Sequence, residues 1–191
     1  MPKNLTLFFL LVITTLNAVI AKDQSVSRTQ FSEKLAKEEQ TRFLSSTDNK
    51  KDYLRLLELE RQALQISDDE PLKLGSIGSA ILDIYPWSQT GHYVMSIFYA
   101  HLDSLEAKKF HQDSLELIQR SMTKDRTGES DQPFPVLTIN DAKTFAKTSG
   151  YSPVGSIYRT TESIALGALV LARKENFPLK YWFYDLSDVL M

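Results

Sequence analysis

The sequence predicts an α+β fold, a run of antiparallel helices followed by a small antiparallel β-sheet that carries one helix. Three observations predict it. Apolar residues recur at helical spacing in residues 52–66 and again in residues 72–85. Two further helical patterns, residues 90–102 and 105–122, are separated only by Asp103-Ser104, so they must double back on each other as a hairpin. Beyond Met122 the apolar residues fall at intervals of two, the spacing of strands.

Composition sets the frame. The 191 residues suit one domain, or two small subdomains, and 42% hydrophobic with 24% charged residues is ordinary for a globular core. Formal net charge is −2, and no run of Lys and Arg exceeds two residues. That balance speaks against a nucleic-acid partner, which demands a concentrated basic surface, and against an electrostatic membrane patch.

Residues 1–21 have the pattern of a secretory signal peptide. Lys3 gives a basic start, residues 5–16 are apolar apart from Thr6, Thr14 and Thr15, and Val19 and Ala21 make a small-residue exit before Lys22. A span needs about 20 apolar residues, so no stable membrane span is expected after cleavage near Ala21. Cleavage removes Lys3, leaving 21 basic and 24 acidic residues and a net charge of −3. With no cysteine, thiol chemistry, thiolate ligands, disulfides and a lipoprotein anchor are excluded. An exported chain without disulfides fits a bacterial periplasmic or secreted protein.

The elements follow in order. Residues 22–51 are a polar linker or one weak helix built on Phe31, Leu35, Phe43 and Leu44. Residues 52–66 form a helix whose buried stripe runs through Tyr53, Leu56, Leu57, Leu59 or Glu60, Ala63 and Leu64. Pro71 opens the next helix, residues 72–85, in which Gly75, Gly78, Ser79 and Ala80 make a face for close packing. After the hairpin comes a polar loop, residues 123–135, and then an α+β tail, residues 136–191. In that tail residues 136–139 are expected as a strand. Asn140 or Asp141 is expected to cap a helix stopped by Gly150, and residues 156–160 form a further strand. Residues 164–172 and 179–186 form an antiparallel hairpin with Trp182, Tyr184 and Leu186 facing one way.

Residues 86–117 resemble a tetratricopeptide (TPR) repeat. "ILDIYP" stands where a repeat ends in "ALELDP", Ser96 and Tyr99 match the small and aromatic positions of the first helix, and "EAKKFHQDSLEL" matches "EAxxxxxxALEL" in the second. The turn is about one residue short and the following proline is missing. More widely, "RTGESDQPFPVLTI" and "YWFYDLS" resemble a family of uncharacterised exported bacterial proteins, a domain of unknown function with such a hairpin and a short α+β tail. The likeness covers residues 72–191 and implies no catalytic residues, because the family carries no agreed activity.

Sharp chemical motifs are lacking. His101, Asp103, Glu106 and His111 suggest metal ligands, but metal-binding helices pair ligands at i,i+3 or i,i+4, and no histidine pair has that spacing. "GSIGSA" lacks the Lys-Ser/Thr ending of a phosphate loop, and no Gly-x-Ser-x-Gly elbow occurs. Asp68, Asp69 and Glu70 are accounted for as helix-capping acids. No catalytic residue, metal ligand or cofactor is assigned. Candidate ligand- or partner-binding residues are Trp87, His92, Tyr93, Tyr151 and Tyr158. Residues 151–158, "YSPVGSIY", are expected as a ligand-accessible loop. Tyr93, Ile97 and Tyr99 with Trp87 could form an exposed aromatic contact, and the competing reading places them in the core.

The expected function is a non-catalytic protein- or peptide-interaction module of the bacterial envelope. The alternatives are a small periplasmic hydrolase, using a histidine with residues 151–158, or a secreted effector or inhibitor.

Overall fold

The structure, a computed structural model, describes residues 33–45, 49–66, 70–160 and 164–186. The signal-peptide reading of residues 1–21 lies outside them, as do Asp68 and Asp69. The described elements belong to one unit, Ser32–Met191. They are α1 (Glu33–Leu44), α2 (Asn49–Gln65), α3 (Pro71–Ile84), α4 (Gln89–His101), α5 (Leu105–Thr123), β1 (Phe134–Pro135), α6 (Ile139–Thr148), β2 (Ser152–Arg159), β3 (Gly167–Arg173) and β4 (Lys180–Asp185). The fold is α+β, helices followed by a small sheet. Among the described residues no helix is long and apolar enough to cross a membrane.

Helices α2 to α5 pack each on the next. The stripe of α2 buries Leu56, Glu60 and Ala63, which are i, i+4 and i+7 and so share one face. In α3 the small residues admit α4. A Cβ on Gly75 would stand 2.6 Å from Phe98 Cε2, and one on Gly78 would stand 2.7 Å from Met95 Sδ. Ser88 caps α4 by accepting from Gly91 N at 3.0 Å. Asp103 takes a left-handed conformation (φ 53°) to turn the chain into α5, and Ser104 N donates to Tyr99 O. Helix α1 packs against α5, and Phe43 meets Tyr85 at 5.4 Å.

The sheet has the order β1-β4-β3-β2. The predicted hairpin is present, with Val170 opposite Trp182 and Ala168 opposite Tyr184. The sheet is mixed rather than purely antiparallel, because β1 runs parallel to β4 with Phe134 opposite Tyr184. The chain enters at β1 and traverses α6, β2 and β3 before returning beside it, and so long a crossover permits the parallel pairing. The first strand is also earlier than the sequence predicts, at Phe134–Pro135 instead of 136–139. Residue 138 is already committed to α6: Thr138, not Asn140 or Asp141, is its cap, accepting from Asp141 N at 3.1 Å.

Ala168, Val170, Ala172, Trp182 and Tyr184 face α6 and join Ala142, Ala146, Phe134 and Met122 in one core. Trp182 meets Phe145 edge-on at 5.7 Å, and Tyr184 donates to Ala142 O at 3.4 Å. Gly128 fastens the preceding loop to this sheet. Its φ of 75° suits glycine, a Cβ there would lie 2.5 Å from Phe134 Cε2, and its carbonyl accepts from Phe183 N at 2.8 Å.

Candidate functional site

The histidines come together in a way that spacing along one helix conceals. His92 of α4 and His111 of α5, both buried, meet Nδ1 to Nδ1 at 2.9 Å. His92 Nε2 lies 3.0 Å from Pro86 O, so this nitrogen donates. Its Nδ1 is therefore the acceptor, and His111 Nδ1–H is the donor. Tyr99 stacks on His111 at 5.5 Å, and Phe110 presents its edge to His111 at 5.0 Å. His101 is instead exposed at the end of α4. Among the described residues no three His, Cys, Asp or Glu side chains group as metal ligands.

A second buried polar cluster joins α2, α4 and α6. Glu60 is 0% exposed and Asp141 is 3% exposed. Glu60 Oε2 accepts from Thr138 Oγ1 at 2.6 Å, and its Oε1 lies 2.7 Å from Ser88 Oγ. Asp141 Oδ1 accepts from Thr90 N at 2.9 Å and from Thr90 Oγ1 at 3.0 Å, with Ser88 Oγ at 3.3 Å. Thr144 Oγ1, 2.9 Å from Thr90 Oγ1, must be the donor of that pair, since Thr90 gives its own proton to Asp141.

Burial raises both acids. Glu60 is pushed well above the usual carboxylate range by desolvation and then by the charge of Asp141. Asp141 is pushed up to about 6 by desolvation, which bonds from Thr90, the Gln89 backbone and Ser88 oppose. The first-turn amides of α4 favour the ionised form of Asp141. Burial and the facing carboxylate thus favour the protonated form of Glu60. Ser88 Oγ stands between the two acids, donating to Glu60 Oε1 at 2.7 Å and lying 3.3 Å from Asp141 Oδ1. The arrangement ties α2, α4 and α6 together through these hydrogen bonds.

Asp141 also borders a cleft of about 100 Å³, walled by Gln40, Trp87, Gln89, Ile118, Met122 and Leu137 among others. That space admits a few waters or one side chain, whereas small-molecule sites occupy about 300–1,000 Å³. Neither histidine lines it, nor does any residue of β2.

The five candidate residues do not gather into one site. Trp87 is buried and lines the cleft. His92 is buried against His111. Tyr93 is half-buried with Lys147 Nζ 5.3 Å from its ring. Tyr99 is buried in the helical core, whereas Ile97 is half-buried. Tyr151 and Tyr158 stand at the two ends of β2. The expected loop at 151–158 is this strand. Its Pro153 and Gly155 mimic turn chemistry, but the register skips Val154 between them, a bulge that accommodates both on an edge strand.

That edge exposes apolar side chains to solvent. Among the described residues β2 pairs only with β3, and its outer side lies at the end of the strand order. Val154 is 55%, Ile157 48% and Tyr158 56% exposed. Ile157 lies opposite Leu169, which lies opposite Phe183, so an apolar row crosses the sheet face turned away from α6. Tyr158 reaches toward Tyr53 of α2, whose hydroxyl is pushed up to about 12, first by burial and then by Tyr158.

No family model, curated protein or solved structure matches this chain.

Proposed function

We propose that the chain is a non-catalytic interaction module of the bacterial envelope, exported by its N-terminal leader, which takes a protein or peptide partner along the edge of β2. The observation that carries this reading is an eight-residue edge strand whose Val154, Ile157 and Tyr158 lie open to solvent. An unpaired edge offers a row of backbone donors and acceptors to an extended segment, and flanking apolar side chains supply selectivity. The TPR-like hairpin α4–α5 serves in this proposal as a frame, because its aromatic residues Phe98, Tyr99 and Phe110 pack inward between helices. The hydrolase alternative finds less support: His92 and His111 bond to each other, and neither adjoins the cleft or β2.

Affinity capture from an envelope extract, followed by mass spectrometry, tests the reading with the full chain and a Val154→Ser/Ile157→Ser variant as baits. Proteins retained by the wild type and lost by the variant are expected. Equal retention by both baits, or turnover of a generic ester or glycan by the purified chain with no enrichment, would overturn it.

A further inference from the structure

Two lysines converge on one tyrosine at the start of β2. Lys174 Nζ lies 5.7 Å from the centre of the Tyr151 ring and 4.9 Å from that of Phe177. Lys180 Nζ lies 5.6 Å from Tyr151 and 4.8 Å from Trp182. Each ammonium is attracted to the ring faces beneath it, yet the two charges repel each other. No ion pair with a described carboxylate relieves them: Glu175 in the adjoining turn and Asp185 at the far end of β4 pair with neither lysine. At the other end of β2, Arg159 is likewise exposed and joined to no described acid. The edge is thus apolar in its middle and cationic at both ends, in a chain whose net charge is negative.

We propose that the partner on β2 is an extended peptide bearing acidic residues, one seated at the Lys174–Lys180–Tyr151 corner and the other at Arg159. This rests on the edge-binding reading above and names its ligand. The register sets the spacing. Lys180 lies in the row of Ala172 and Pro153, facing α6, whereas Arg159 lies in the row of Gly167 and Asp185, on the opposite face. Those rows are five residues apart along β3, or roughly 17 Å at strand rise. An added strand with acids five positions apart presents them to opposite faces, because alternate side chains alternate sides. A carboxylate closing on two neighbouring ammoniums also relieves their mutual repulsion, so it gains more there than at a single open lysine.

Fluorescence anisotropy at low salt tests this with the full chain and a labelled octapeptide that has Glu at positions 2 and 7 and Val or Thr elsewhere. The expected result is at least tenfold tighter binding than for the same peptide with Gln at both positions. Lys174→Ala/Lys180→Ala should bring the Glu peptide down to the Gln level, and Lys174→Arg/Lys180→Arg should restore it. Equal affinity for the two peptides, indifference to the alanine pair, or equal affinity for an eight-residue oligothymidine would overturn the proposal. The Val154→Ser/Ile157→Ser chain separates it from the reading beneath it. If that chain loses the peptide while the alanine pair keeps it, the edge reading stands and the acidic ligand fails. If that chain keeps the peptide while the alanine pair loses it, the peptide is not seated along β2, and both the seating and the edge reading are wrong.

Discussion

His92 and His111 share one hydrogen bond between their Nδ1 atoms, 2.9 Å apart, across the α4–α5 seam. Because Pro86 O fixes His92 as the Nε2–H tautomer, His111 must carry its proton on Nδ1. Long-range proton–nitrogen NMR correlations should show this asymmetric pair, with a proton on Nδ1 of His111 and none on Nδ1 of His92. Replacing His111 with Ala removes that donor and the ring stacked on Tyr99, leaving a buried acceptor and a void. Chemical denaturation should register a loss of about 2–4 kcal/mol. A loss below about 0.5 kcal/mol would mean that the seam does not depend on the pair.

The acid cluster gives stability a definite pH dependence. The folded-state values of Glu60 and Asp141 are both raised, so the folded chain holds more protons than the unfolded chain above about pH 4. Stability from these groups is full below the ordinary carboxylate range. It declines as pH rises through about 6, where Asp141 ionises, and declines further as Glu60 follows. The Asp141 step is on the order of 3 kcal/mol, about two pH units at 1.36 kcal/mol each. Thermal melts from pH 4 to pH 8 should therefore show a falling Tm, and Glu60→Gln, which cannot ionise, should flatten its upper part. A Tm that climbs across this range in the wild type would contradict the burial argument.

Packing at the α3–α4 crossing reverses the usual rule for helix glycines. Ala normally stabilises a helix over Gly by about 1 kcal/mol. At Gly75 three atoms of the buried Phe98 ring would lie within 2.9 Å of the new Cβ, so the ring must leave its place. Gly75→Ala should destabilise by about 1–3 kcal/mol in urea titrations, the range of overpacked cores. Gly155→Ala is the control, because a Cβ there meets nothing within 4 Å and the site is an exposed edge. It should be neutral or slightly stabilising.

These cases show which features the amino-acid pattern discloses. The Leu56–Glu60–Ala63 stripe, the small-residue face of α3 and the Trp182–Tyr184–Leu186 alternation are local periodicities, and the fold obeys them. Spacing left Leu59 or Glu60 for the buried stripe and the fold takes Glu60, but its partners Ser88, Thr138 and Asp141 come from segments 28 to 81 residues away, and periodicity carries no such information. Asp141 looks like a cap of its own helix, whereas its carboxylate binds the first turn of α4 instead. The histidine pair crosses two helices, so a search for ligands on one helix passes over it. β2 is disguised by Pro153 and Gly155, whose turn propensity the bulge and the pairing with β3 override. β1 is only two residues long, too short to alternate.

The edge of β2 separates residues kept for folding from residues kept for contact. Trp182 fills the space between β4 and α6, so Trp182→Ala should cost about 3–5 kcal/mol. Val154 and Ile157 leave roughly half their surface in water, and Val154 is the bulged residue without a cross-strand partner. Removing their apolar side chains in Val154→Ser/Ile157→Ser forgoes little burial, and β2 keeps its backbone pairing with β3. Stability should change by no more than about 1 kcal/mol for the pair, close to the range of ordinary surface changes. Urea denaturation of the two variants beside the wild type decides the matter. If the serine pair instead loses as much as Trp182→Ala, these side chains belong to the core in solution, and the edge is not available to a partner.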